Sequence, residues 1–274
     1  MNNKNKHLEK AYKSNSFLNS ADARTIRILA EYLEPQQRLK KQKIKDMIVF
    51  FGSARAKDPN RMALKQHLSQ KIQEKSGGDK SNEQLLDKYY NDARLLAKRL
   101  TELSLTLDDN QRFVVCSGGG PGIMEAANRG AIDAGGRSIG MNISIPLEQE
   151  PNLYISDNLA FEFHYFFMRK FWFVYLAKAA IIFPGGFGTM DELFEVLTLM
   201  QTHKMQKRIP IVIYGEEYWN KVLNFDAMLE YGTIEEEDIK LFKFYSDVES
   251  AFEYIKDELT EKFIKGKSKP YWHF

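Results

Sequence analysis

Apolar residues along the chain fall into short blocks separated by longer amphipathic stretches. Met47-Ile48-Val49-Phe50-Phe51, Phe113-Val114-Val115-Cys116 and Ala179-Ala180-Ile181-Ile182-Phe183 contain no polar side chain, the pattern of parallel strands covered on both faces. Ser138 to Ile145, Ile209 to Tyr214 and Leu241 to Tyr245 read as further strands. Helical spacing predicts helices over about 21–39, 83–103, 123–134, 163–178, from the glycines at 185–188 to about 203, 217–231 and 247–263. In the first, Ile26, Leu29, Ala30 and Leu33 share one face. This alternation predicts an α/β fold: a Rossmann-like, doubly wound parallel sheet in three layers and a single domain. The expected organisation is a basic N-terminal helical arm over 1–45, then the Rossmann-like domain over 46–274, with a polar, charged insertion at about 56–82.

Three of these strands run into glycines, and ligands of such sheets bind beyond the strands' carboxyl ends. The turns are Gly52-Ser53, Ser117-Gly118-Gly119-Gly120-Pro121-Gly122 and Pro184-Gly185-Gly186-Phe187-Gly188-Thr189-Met190-Asp191-Glu192. Glycine lets a ligand approach the backbone, and a helix start offers unpaired N–H groups to an anion. The last run has two readings: a phosphate site, or a tight turn in which Thr189 and Glu192 form a capping box. Neither glycine run is a dinucleotide fingerprint, since the third glycine of GxGxxG counted from Gly118 falls on Ile123, and no P-loop lysine follows either. In the aromatic helix at 163–178, Arg169-Lys170 needs partners: a core carboxylate, or a phosphate or carboxylate ligand in the cleft.

At 274 residues, 43% hydrophobic and 13% aromatic, the composition is that of a globular protein with a well-buried core. No apolar stretch reaches the roughly 20 residues of a membrane span. The polar start at 1–20 has no apolar core, so a cytoplasmic protein without a membrane partner is expected. The net charge of +2 hides an asymmetry: residues 1–45 carry eleven Lys/Arg against four Asp/Glu, leaving 28 against 33 elsewhere. Without interleaved aromatics this arm reads as a solvated helix face, and no nucleic-acid partner is assigned. Cys116, the one cysteine, lies in a predicted strand as an inert thiol, and the five histidines show no ligand spacing, so no metal or cofactor is expected.

Four ordered motifs resemble the LOG (Lonely Guy) phosphoribohydrolases, a Rossmann-like family formerly labelled lysine decarboxylases. They are Phe51-Gly52-Ser53-Ala54-Arg55, Ser117 through Glu125 to Asn128, Phe167-Met168-Arg169-Lys170, and Pro184 through Glu192 with Leu193-Phe194-Glu195 behind. The resemblance runs from about Met47 to His203. It implies hydrolysis of the N-glycosidic bond of nucleoside 5′-monophosphates, AMP-like or cytokinin riboside monophosphates, to free base and ribose 5-phosphate, commonly by a homodimer. It implies that Arg169 and Glu192 are catalytic. Gly185, Gly186, Gly188 and Thr189 would bind phosphate, and Ser53, Arg55, Gly118, Gly119, Gly120, Lys170 and Glu195 would add nucleotide contacts or assist. Physical chemistry agrees: a carboxylate stabilises the oxocarbenium-like charge of glycosidic cleavage, and Glu192 at a helix N-terminus is expected to favour its ionised form. Phe166 and Phe167 depart from the Met-His of plant-like members. The alternative is a non-catalytic nucleotide- or phosphate-binding module, and no feature identifies the lysine of a pyridoxal-phosphate decarboxylase.

Overall fold

The computed structural model describes residues 8–59, 80–108, 112–145 and 150–265. Most of the predicted insertion, 60–79, lies outside them. Among the described residues, seven parallel strands form one sheet: β1 (Asp46–Phe51), β2 (Phe113–Ser117), β3 (Ser138–Ile143), β4 (Ala160–Phe163), β5 (Ala177–Ile182), β6 (Ile211–Tyr214) and β7 (Lys243–Tyr245). Their order is β4-β3-β2-β1-β5-β6-β7. The chain thus winds outward from β1 in one direction, returns, and winds outward in the other.

Helices cover both faces and give the three layers. They are α1 (Arg24–Lys41), α2 (Lys80–Leu105), α3 (Ile123–Asp133), α4 (Phe166–Tyr175), α5 (Phe187–Gln201), the short α6 (Glu216–Val222), α7 (Phe225–Glu230) and α8 (Glu236–Ile239), and α9 (Val248–Leu259). Alternate residues of the central strands enter two separate cores. Met47, Val49, Phe51, Ala180 and Ile182 pack with Leu39, Trp172, Leu193 and Trp219. Ile48, Phe50, Ala179, Ile181 and Phe183 pack with Leu96, Ala127 and Ile255 on the other face. Double coverage explains why these strands read as unbroken apolar blocks. No helix among the described residues is long and apolar enough to cross a membrane.

Four expectations need correction. Ala160–Phe163 is a strand, although helix was expected from Phe163; it is an edge strand with only Phe161 and Phe163 turned inward. Helix α4 ends at Tyr175, and Lys178 belongs to β5, buried 3.2 Å from Asp46. The helix expected over 217–231 is two, because Asn224 breaks it and its side chain caps α7 by accepting from the Ala227 N–H. On α1 the packed face is Pro35 and Leu39, with Ile28 and Tyr32 partly buried, while Ile26, Leu29 and Leu33 are about half exposed.

Candidate functional site

The reversal of winding puts the carboxyl ends of β1 and β5 side by side, the place where an open α/β sheet forms a crevice. The loops are stitched together there. The Phe183 N–H donates to the Phe51 carbonyl, the Ser53 N–H to Pro184 and the Ile123 N–H to Ser53. Gly122 makes the last contact possible: its φ is +73°, and a Cβ there would lie 2.3 Å from the Ser53 carbonyl oxygen. The turn after β2 is held from beneath by polar groups. Ser117 donates to Asn128 Oδ1 at 2.7 Å, the Asn128 amide donates to the Ile139 carbonyl, and Asn152 Nδ2 reaches the Gly119 and Gly120 carbonyls at 3.0 Å.

A cavity of about 630 Å³ opens over these loops. Of the residues expected in the site, it is lined by Ser53, Arg55, Gly118, Gly120, Arg169, Gly185, Gly186, Gly188, Thr189 and Glu192. Gly119, Lys170 and Glu195 do not line it. Gly119 faces the Asn142 and Asn152 side chains. Lys170 bonds Asp191 and Glu195 at 2.8 and 2.9 Å, behind Glu192. Asn142, Tyr218, Phe173 and Phe187 line the cavity without having been anticipated. Only Asn142 carried a sequence signal, as a polar residue inside a strand.

Helix α5 begins at Phe187 with Gly186 as its N-cap residue, and no side chain caps it. The Thr189–Glu192 capping box is therefore absent: Thr189 is already inside the first turn and Glu192 sits in the second. The amides of Phe187 and Gly188, which precede the first intrahelical bonds, open the helix beside the cavity. Tyr218 fixes the approach to this turn by donating to the Gly185 carbonyl at 2.8 Å.

Glu192 is 3% exposed and lies 3.9 Å from Arg169 and 4.0 Å from Lys170. Its Oε2 and the Arg169 Nε are buried without a hydrogen-bond partner. Burial pushes the Glu192 carboxyl up to about 7, against the pull of Lys170 and Arg169, with Glu195 and Asp191 adding to the rise. The expectation of an acid favoured in its ionised form fails for this reason: in the second turn, desolvation outweighs the helix dipole. Burial also lowers the Arg169 guanidinium, which Glu192 partly offsets, and which packs over the rings of Phe166 and Phe173. Desolvation acts against the Lys170 ammonium too, but its bonds to Asp191 and Glu195 raise it overall. Such a pair can bind an anion through arginine and exchange a proton near neutrality through glutamate.

No curated protein matches the chain in sequence. Among solved structures, the molybdenum cofactor carrier protein from Chlamydomonas reinhardtii is similar at 17% identity and a TM-score of 0.46, over 79% of this chain and 99% of that one. The molybdenum cofactor binding protein from the phototrophic bacterium Rippkaea orientalis is similar at 18% identity and a TM-score of 0.46, over 79% of this chain and 98% of that one. A family model described as "Possible lysine decarboxylase" matches residues 124–255, a span that includes Arg169, the turn at 185–188 and Glu192. Over that span, a little under half of the chain, the protein is similar to this family.

Proposed function

We propose that the protein hydrolyses the N-glycosidic bond of nucleoside 5′-monophosphates, AMP-like or cytokinin riboside monophosphates, to free base and ribose 5-phosphate. The observation that carries this reading is the buried Arg169–Glu192 pair, 3.9 Å apart at the cavity wall, with a polar atom of each left unpartnered. Buried polar atoms without partners are costly unless a ligand completes them. A nucleotide supplies matching groups: phosphate for the guanidinium and the open amides at Phe187 and Gly188, ribose hydroxyls and a water for the carboxylate.

In the proposed reaction the C1′–N bond breaks as positive charge grows on the ribose, and ionised Glu192 stabilises that charge. Water then adds to C1′ and gives its proton to Glu192, while the bonding pair leaves with the base, which takes up a proton. A carboxyl near 7 suits such a base at neutral pH. Decarboxylation through a lysine-bound cofactor lacks a candidate among the described residues, since none of those lining the cavity is a lysine.

A panel of nucleoside monophosphates with detection of base and ribose phosphate tests the reading. Release is expected, and Glu192→Gln abolishes it while nucleotide affinity persists. Tight nucleotide binding with no turnover of any member would replace the hydrolase by a binding module.

A further inference from the structure

Helix α1 lies outside the family match, yet it touches the segment that delivers Arg169 at several points. Arg38, fixed by two bonds to Glu34, donates to the Ala160 carbonyl at 2.6 Å and lies over the Phe161 ring. Both carboxylate oxygens of Glu31 are engaged at the start of α4, accepting from the His164 N–H at 2.8 Å and the Tyr165 N–H at 3.2 Å. The Glu31 backbone carbonyl accepts from Trp172 Nε1 at 3.0 Å. Tyr32 packs on the rings of Phe171 and Trp172.

Two sequence features explain this grip. Pro35 lies inside α1 and has no N–H, so the carbonyl four residues back, that of Glu31, lacks its helical donor and is free for the indole. Helix α4 has no acid in its first turn and no cap from its own Tyr165. Glu31 supplies the missing negative charge from outside, where the helix dipole favours it. The Arg169 N–H closes the first turn on the Tyr165 carbonyl, so the residue whose amide Glu31 holds is the one on which Arg169 is built.

We infer that the N-terminal arm positions Arg169, with Glu31 as the positioning residue that fixes the start of α4. The inference rests on the proposed hydrolase reading for its kinetic arm only. Hydrogen exchange and kinetics on full-length Glu31→Ala and Glu31→Gln test it, with adenosine 5′-monophosphate as substrate. Glu31→Ala is expected to speed amide exchange selectively over 164–172, and to lower kcat/KM about tenfold, because a displaced Arg169 holds the substrate phosphate less well. Glu31→Gln keeps an acceptor oxygen and restores kcat/KM to within about threefold.

Unchanged exchange over 164–172 in Glu31→Ala overturns the inference. So does equal damage in both variants together with a general loss of exchange protection, since that marks a merely structural residue. Should the wild type turn over no monophosphate, the hydrolase reading falls and the exchange measurement alone decides.

Discussion

Replacing Glu192 by glutamine isolates the cost of the buried carboxylate. Burial carries this carboxyl from an ordinary 4.5 to about 7. At about 1.4 kcal/mol for each pH unit, the displacement is worth about 3 kcal/mol. The folded protein holds the proton more tightly than the unfolded chain. The contribution is therefore complete below about pH 4.5 and is lost as pH climbs through about 7. Glutamine does not ionise, so the variant is spared that loss. Between pH 4 and pH 8 the wild type should weaken relative to Glu192→Gln by about 3 kcal/mol, on the order of 5 °C in Tm for a chain of this size. Urea unfolding of both proteins across this range measures the difference, and a pH-independent offset from the altered Arg169 contact leaves its slope untouched. A flat difference, or one that grows in favour of the wild type at higher pH, refutes desolvation as the dominant influence on Glu192.

Turnover of a monophosphate is expected to rise with pH through an apparent pKa of about 7, since Glu192 acts ionised. Lys170→Met removes the strongest pull toward the charged form and should move that limb to higher pH; a limb that stays in place disproves the coupling. Gly186→Ala meets no atom within 4 Å, so stability should stay within about 0.5 kcal/mol while KM rises roughly tenfold through lost access to the helix start. Gly185→Ala puts a methyl 2.1 Å from Thr189 Oγ1 and should destabilise by about 1–3 kcal/mol in thermal melts. If the two alanine variants behave alike, the contrast between a packed and an open glycine is wrong.

The central strands were legible because burial on both faces leaves each an unbroken apolar block, interrupted only toward its ends by Asp46, Ser117 and Lys178, and the glycines after β1, β2 and β5 marked the ligand edge. What escaped was set by tertiary contacts. Strand β4 pairs on one side only and shows a single short alternation, Ala-Phe-Glu-Phe, too brief to compete with the aromatic run behind it. On α1 two apolar stripes share one helix, and docking against Trp172 selects the stripe of Ile28 and Tyr32. Thr-x-x-Glu at 189–192 has capping-box spacing, but Gly186 starts the helix earlier and carries Glu192 inward. Its elevated pKa was equally invisible, because it depends on how completely Arg169, Lys170 and the two cores exclude water.

The reversal of strand order at β1 also bears on how the molecule is made. Met47 pairs with Ala177, about 130 residues away, whereas β2, β3 and β4 extend the sheet from the opposite side of β1. Through synthesis of everything up to β4, one edge of a strand that is apolar from Met47 to Phe51 has no neighbour, an edge on which foreign strands can dock. Insertion of β5 closes that edge and delivers the glycine turn and Glu192 to the ends of β1 and β2 in the same step. The cavity therefore cannot be complete until β5 has joined β1, a pairing that must close a long loop.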